Sequence, residues 1–326
     1  MKTSTLVPQL VQAVEEGLFK ETKSLPSWLF YDENGDRIFQ DIMRMPEYYL
    51  TGCEYEILQM NAAAILQRFQ QQGAFQLIEL GAGDGLKTEL LLKHFTEQQA
   101  DFTYHPIDIS STVLAQLQDR LSRSLPNLPF FPQQGEYEPA LEKLNLSSDK
   151  RKVILFLGAN IGNFTMSEAG AFLQRIQKAM HTNDLLFLGI DLKKDPRMIQ
   201  RAYDDAQGIT KSFNLNLLVR LNRELGANFM LDQFSHYPTY NPETGEAKSY
   251  LISLRQQDVY FEALQKTVHF KRWEHIHTEV SIKYDQQMIE QLAKASALTI
   301  DHQYYDCKHY FSDVVFTKTA NPLGYL

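Results

Sequence analysis

Cysteine is scarce in this 326-residue chain, which carries only Cys53 and Cys307. Two thiols that far apart offer neither a disulfide framework nor the paired spacing of a zinc site, and they fit a reducing compartment. Neither is expected to act as a nucleophile, and no metal is expected. Runs of Lys and Arg are missing as well, and the formal net charge is −8. That excludes an obvious track for a phosphate backbone, so nucleic acid is not an expected partner. No apolar run approaches the roughly 18 residues that a membrane-spanning helix needs. The stretch from Met1 to Lys20 has Leu6, Leu10, Val11, Val14 and Leu18 at helical spacing beside Glu15 and Glu16. It lacks the basic-then-apolar order of a signal peptide, so a soluble, cytoplasmic protein without a membrane partner is the expectation. There is no internal repeat, and 44% hydrophobic with 22% charged residues argues against long low-complexity tracts. The length allows one large domain with insertions or two domains in one chain.

Periodicity supplies the architecture. Cys53 to Gln70 carries Ile57, Leu58, Ile65, Leu66 and Phe69 at helical spacing, and Gln71-Gln72-Gly73 stops it. A strand at Phe75 to Leu80, a glycine turn and a Leu-rich helix at Lys87 to Phe95 form a β-turn-α unit. The alternation continues with a strand at Thr103 to Ile107, a helix at Ser111 to Leu121, a strand near Leu128 to Pro132 and a strand at Lys152 to Leu157. A helix at Met166 to Met180 and a strand at Leu185 to Ile190 follow. Strands that are apolar over most of their length and separated by helices predict a mostly parallel sheet covered on both faces. Beyond Asp191 the rhythm changes to helices at Pro196 to Ala206 and Ser212 to Leu225, then a hairpin-rich stretch from Pro238 to Tyr260 with a turn at Asn241-Pro242-Glu243-Thr244-Gly245. This reads as an insertion. A helix at Gln286 to Ala297 and strands near Leu298 to Tyr304 and Tyr310 to Phe316 would complete the sheet.

The turn reads Glu79-Leu80-Gly81-Ala82-Gly83-Asp84-Gly85. Its glycines permit a tight turn and let backbone N–H groups approach a ligand. The next strand ends at Pro106-Ile107-Asp108, which puts a carboxylate roughly 20 residues on, where it can accept both hydroxyls of a ribose. The same position suits a helix cap before Ser110 and Ser111. This spacing does not separate nicotinamide dinucleotides from S-adenosylmethionine. The acidic residue before the turn favours the latter, and Gly135-Glu136-Tyr137 would offer an acceptor and an aromatic face to an adenine. Asn163 follows Gly162 after the apolar strand expected beside the first one, and it too has an alternative as a helix-start cap before Thr165 and Ser167.

With these residues in view the chain resembles the histidine Nα-methyltransferases of ergothioneine biosynthesis over nearly its whole length. The matching blocks are Leu25-Pro26, Phe30-Tyr31-Asp32, Pro46-Glu47-Tyr48-Tyr49-Leu50-Thr51, Glu79-Leu80-Gly81-Ala82-Gly83 with Lys87-Thr88, and Pro106-Ile107-Asp108. They continue with Leu157-Gly158-Ala159-Asn160-Ile161-Gly162-Asn163-Phe164, Asp195-Pro196, Ala202-Tyr203-Asp204-Asp205-Ala206, Phe213-Asn214, Asn222-Arg223-Glu224-Leu225-Gly226-Ala227 and Thr278-Glu279-Val280-Ser281. The resemblance implies S-adenosylmethionine as cofactor and three successive methyl transfers to the α-amine of histidine, giving its trimethyl betaine, hercynine. It implies that Gly81, Lys87, Asp108, Glu136 and Tyr137 hold the cofactor. It assigns Tyr31, Tyr48, Gly158, Asn163, Tyr203, Glu279 and Ser281 to the substrate, with Asn163 and Tyr203 on the carboxylate and Glu279, Ser281 and Tyr48 on the imidazole. No general base is assigned. Two departures stand out: Gly52 replaces a charge that the family carries, which would reshape that loop, and Ile252 stands on the strand expected to face the ring, where relatives can have methionine.

The expected fold is thus α/β, a Rossmann-like methyltransferase core with a mostly parallel sheet, plus a second α+β substrate domain. Residues 1–60 and 194–283 would form the substrate-binding domain, and 61–193 with 284–326 the S-adenosylmethionine-binding domain. The resemblance also implies a monomer acting on a small amino acid. The alternatives are the same transfer to another amino acid or amine, a nicotinamide-dependent oxidoreductase built on the same glycine turn and Asp108, and a binding module that keeps the fold without turnover.

Overall fold

The computed structural model describes residues 6–135, 137, 139 and 150–319. The chain begins with helices α1 (Leu6–Leu18), α2 (Glu33–Arg44) and α3 (Tyr49–Phe69). Then come β1 (Phe75–Leu80), α4 (Leu86–Glu97), β2 (Phe102–Asp108), α5 (Ser111–Ser124), β3 (Gln133–Gln134), β4 (Arg151–Phe156), α6 (Met166–Ala179) and β5 (Leu185–Asp191). After them run α7 (Pro196–Tyr203), α8 (Ile209–Leu225), β6 (Phe234–Asn241), β7 (Glu246–Ser253), β8 (Gln257–Phe261), β9 (Lys266–Phe270) and β10 (His275–Ile282). Helix α9 (Gln286–Ala295) and strands β11 (Leu298–Tyr305) and β12 (Phe311–Lys318) close the described chain. Among the described residues no helix is long and apolar enough to cross a membrane.

These elements fall into two units, Met1–Tyr49 with Lys194–Ile282, and Leu50–Lys193 with Lys283–Leu326. The second unit is Rossmann-like, with a sheet of order β11-β12-β5-β4-β1-β2-β3. The β1, β2, β3, β4 and β5 neighbours pair in parallel, while β12 runs antiparallel to both β5 and β11. Every residue of β1 and β5 is buried, Gln76, Glu79 and Asp191 included, as in mostly apolar strands covered on both faces. The strand order reverses between β1 and β4, and the crevice beyond the carboxyl ends of such a pair is where this fold class takes its ligands. The strand expected near Leu128 to Pro132 forms instead at Gln133–Gln134, with Phe130 making only an isolated bridge to Tyr104. Pro126, Pro129 and Pro132 have no N–H to give a ladder, which explains the delay.

The chain leaves this unit after β5 and returns before α9 at one place. Tyr284 N–H donates to Asp191 O at 2.9 Å and Lys193 N–H to Tyr284 O at 2.8 Å. Beside them the Lys283 ammonium and Asp191 carboxylate pair at 2.9 Å with no exposure of either side chain.

The first unit combines α1, α2, α7 and α8 with an antiparallel sheet of order β10-β7-β6 and the β8-β9 hairpin. The hairpin-rich stretch expected from Pro238 to Tyr260 therefore extends from Phe234 to Ile282. Strand β7 alternates half-buried and buried residues along its length, the pattern of a sheet with one face on a core. That core joins Leu10, Val14, Leu18 and Phe30 to Phe213, Leu217, Leu251 and Ile276. Asp32 caps α2 by accepting from Gly35 N–H at 2.7 Å, and Asp205 steadies the start of α8 by accepting from Ile209 and Thr210 N–H at 2.9 and 2.8 Å.

Candidate active site

In the second unit the turn after β1 turns on glycine. Gly81, Gly83 and Gly85 have φ of 69°, 53° and 59°, the left-handed region that side chains disfavour. A Cβ at Gly81 would lie 2.7 Å from the Tyr137 hydroxyl, so glycine there lets the phenol lie against the turn. Asp108, at the end of β2, accepts from Gly83 N–H at 3.1 Å and Ser110 N–H at 2.9 Å. Ser110 itself caps α5 by accepting from Val113 N–H, so the cap role open to Asp108 belongs to its neighbour. Gly81, Asp108 and Tyr137 are thereby gathered at one loop cluster. Burial and the nearby Asp108 charge push the Tyr137 hydroxyl up to about 12, which keeps it a neutral donor. Glu136 lies outside the described residues.

A cofactor of the adenosyl type fits this frame. Where a Cβ would stand at Gly83 the nearest atom among the described residues is Gly81 O at 4.0 Å, and at Gly135 none of them lies within 4 Å. The space beside the turn is therefore open, with the Asp108 carboxylate bordering it.

Lys87 lies in the first turn of α4, and its ammonium pairs with Glu54 Oε2 of α3. Glu54 Oε1 accepts from Gly158 N–H at 2.7 Å, which links Lys87 to the loop after β4. Gly158 has φ of 78°, and Ala159 follows at 58°, a strained value for a residue with a Cβ. A 3-10 turn, Asn160–Asn163, succeeds it and leaves Asn163 exposed. The cap of α6 is Thr165, reciprocated by Glu168 in a capping box, so Asn163 is not spent on that duty. Beneath the turn, Glu79 accepts from Thr88 Oγ1 at 2.5 Å and from the Tyr104 hydroxyl. Burial lifts its carboxyl to about 7, against those hydrogen bonds and the Lys87 charge.

In the first unit, Glu279 and Ser281 share a face. Strand β10 carries a bulge between His277 and Glu279, after which Glu279 pairs with Ser249 and Ser281 with Ala247. Paired residues of antiparallel strands project to the same side. Ser249 and Ala247 belong to the buried face of β7, so Glu279 and Ser281 do as well, while His275 and His277 project to the other face with Ile252 and Tyr250. Ile252 therefore does not look toward the Glu279 and Ser281 side of the sheet. Ser249 Oγ reaches Glu279 Oε2 at 3.5 Å, and Thr278 Oγ1, in the bulge, lies 2.9 Å from Asn214 Oδ1 and 3.0 Å from Ser249 O.

Tyr203 is buried with Ile199, Ala202 and Ala247, and Tyr48, Tyr49 and Tyr240 pack against that cluster. Tyr31 stands edge-on to Phe39 at 5.7 Å and to Phe213 at 5.8 Å, and Phe39 meets Tyr48 at 6.4 Å. Tyr31, Tyr48, Tyr203, Glu279 and Ser281 thus lie in this unit, and Gly81, Lys87, Asp108, Tyr137, Gly158 and Asn163 in the other. Gly52, expected in a reshaped loop, lies instead in the first turn of α3, because the helix begins at Tyr49 and not near Cys53. Sequence reasoning missed Glu54 and Phe39, and it gave Asn214 no role although Phe213-Asn214 is one of the matching blocks. Glu54 falls on the same stripe of α3 as the buried Leu50, Cys53, Ile57 and Leu58, and that position was a usable signal.

Comparison with known proteins follows the same lines. A family model described as histidine-specific methyltransferase, SAM-dependent, matches residues 10–318. A histidine N-alpha-methyltransferase from Mycolicibacterium smegmatis is 36% identical over 283 residues, 86% of this chain and 87% of that one. One from Mycobacterium tuberculosis is 36% identical over 85% of this chain and 84% of its own. Ergothioneine biosynthesis protein 1 of Neurospora crassa is 30% identical over 85% of this chain, which corresponds to 31% of that longer protein.

Proposed function

Since the chain belongs to the SAM-dependent, histidine-specific methyltransferases, we propose that it converts L-histidine to its Nα,Nα,Nα-trimethyl betaine, a step of ergothioneine biosynthesis. The observation that carries the substrate is the pairing of Glu279 and Ser281 on one face of β10, beside a wall of tyrosines. A carboxylate accepts from an imidazole N–H and favours a cationic ring, while a hydroxyl can serve the second ring nitrogen. We assign Tyr48 to the same ring, Tyr203 and Asn163 to the substrate carboxylate, and Tyr31 and Gly158 to the remaining contacts.

S-adenosylmethionine supplies a methyl group already activated on a sulfonium. Gly81 and Asp108 would hold its nucleoside portion, Asp108 on the ribose, with Tyr137 and Glu136 at the base and Lys87 nearby. What remains for the protein is to hold an amine lone pair in line with the methyl, and anchoring both ends of the amino acid does that. Each transfer to a protonated nitrogen needs prior proton loss, and after the third no lone pair remains, so the reaction stops there. Cofactor binding is assigned to the second unit, and substrate recognition to Tyr31, Tyr48, Tyr203, Glu279 and Ser281 of the first with Gly158 and Asn163 of the second. The scarcity of cysteine and the acidic balance support action in the cytoplasm, and the family likeness supports a monomer, which sedimentation would test.

The deciding experiment is mass spectrometry of products after incubation with S-adenosylmethionine and a mixture of the standard amino acids. Selective trimethylation of histidine is the expected result. Methylation of a different amine would overturn the assignment of Glu279 and Ser281 while leaving the chemistry in place.

A further inference from the structure

Glu54 has no exposed side-chain surface, yet it is charged toward two elements at once. One oxygen takes the Lys87 ammonium and the other the Gly158 N–H at 2.7 Å. The packing makes room for it: a Cβ at Gly189 of β5 would collide with Glu54 Oε1 and approach Gly158 N to 3.2 Å. Across the sheet from Gly189 lies Asp313 of β12, wholly buried, with neither carboxylate oxygen hydrogen-bonded. The carboxyls of Glu54, Glu79 and Asp313 all act electrostatically on the Lys87 ammonium, and Glu54 alone is in contact with it. One positive charge neutralises one carboxylate, and geometry decides which. Glu79 is turned to Thr88 and Tyr104, Asp313 has no donor, and Glu54 holds the ion pair. Burial, with the Glu54 charge added, drives the Asp313 carboxyl far above the carboxylate range, against the pull of Lys87. Burial opposes the charge on Lys87, but Glu54 overcomes it and raises the ammonium above the ordinary lysine value.

We propose that Glu54 is a positioning residue, fixing the charge and direction of Lys87 at the glycine turn while pinning the loop after β4 through the Gly158 amide. The proposal rests on the reading of Lys87 as a cofactor residue. Without its anion the lysine is a desolvated ammonium, which sheds its proton more easily. The loop that carries Gly158 and the strained Ala159 also loses an anchor.

The test is calorimetric titration with S-adenosylhomocysteine from about pH 6.5 to about pH 8.5, below the ordinary lysine range and below the titration of the ligand's own α-amine. It is joined to amide hydrogen exchange at Gly158, on the wild-type protein and on Glu54→Gln, Glu54→Asp and Asp313→Asn. The wild type should bind with affinity nearly independent of pH. Glu54→Gln should bind about tenfold more weakly at neutral pH, weaken further as pH rises, and exchange the Gly158 amide faster. Glu54→Asp, which keeps the charge on a shorter arm, should keep the flat profile yet exchange the Gly158 amide faster, and should Glu54→Gln not fold, unchanged exchange in Glu54→Asp would overturn the proposal. Asp313→Asn, isosteric with a neutral acid, should match the wild type. A flat profile and unchanged affinity in Glu54→Gln would overturn the proposal alone, as would an Asp313→Asn variant that reproduces the loss. A wild-type protein that ignores S-adenosylhomocysteine would overturn the cofactor reading and the proposal with it.

Discussion

The role assigned to Glu279 requires its charge and not only its oxygens. Glu279→Gln keeps the shape but loses a charge-assisted hydrogen bond worth about 1.5 to 3 kcal/mol, or roughly ten- to a hundredfold in affinity. Calorimetry should show histidine weakened by that factor and S-adenosylhomocysteine unchanged, and equal weakening of both ligands would refute the assignment. A second residue contributes to the acid limb of stability. His105 is buried, stacks on Phe131 at 5.2 Å, and has its ring held near 4 by desolvation, against an ordinary value of 6.5. Between those values the unfolded chain binds the proton that the folded chain refuses, so the stabilisation is complete above pH 6.5 and is lost as pH falls toward 4. His105→Gln should remove up to about 3 kcal/mol of this pH dependence, seen as a flatter acid limb in denaturant midpoints.

Among the elements, α3 shows how far a sequence can be read. Its apolar stripe predicts a helix, but Gly52 near its start argued for a loop. The structure keeps residues 50 to 52 helical, and a Cβ at Gly52 would meet nothing within 4 Å. Gly52→Ala should therefore stabilise the protein by about 0.5 to 1 kcal/mol, mainly by restricting the unfolded chain, and a lower melting temperature would contradict this. The strands of the large sheet were legible because burial on both faces demands continuous apolar runs. The β8-β9 hairpin was only half visible, since in β9 just Val268 and Phe270 are buried and the rest is polar. The bulge at Thr278 had no sequence signature, although it decides which face Glu279 takes. At the site, the glycine turn was legible because positive φ selects glycine. Glu54 was legible only in part, because its place on the apolar stripe of α3 pointed to burial while its partners Lys87 and Gly158 lie far off in sequence, and the packing of Tyr31 and Tyr48 about Phe39 is a three-dimensional fact.

At the scale of the whole molecule, the first unit is assembled from segments far apart in sequence. Leu10, Val14, Leu18 and Leu25 of the N-terminal segment are buried in the core that Phe213, Leu217 and Leu251 also fill. Each buried leucine contributes about 2 to 5 kcal/mol, so removing residues 1 to 25 would exceed the usual net stability of a domain. Hydrogen exchange on such a truncation should show β7 deprotected while β1 and β4 stay protected, and a protected β7 would refute the argument. The buried Lys283 and Asp191 pair bears on the same question from the other side. It clasps the two ends of the intervening segment into a short stem where the chain leaves β5 and returns before α9. Such a stem suits modular exchange. A chimera that swaps this segment together with residues 1 to 49 for a relative's, keeping Asp191 and Lys283, would preserve both the seam and the shared core, a route by which acceptor preference changes by grafting without disturbing the glycine turn.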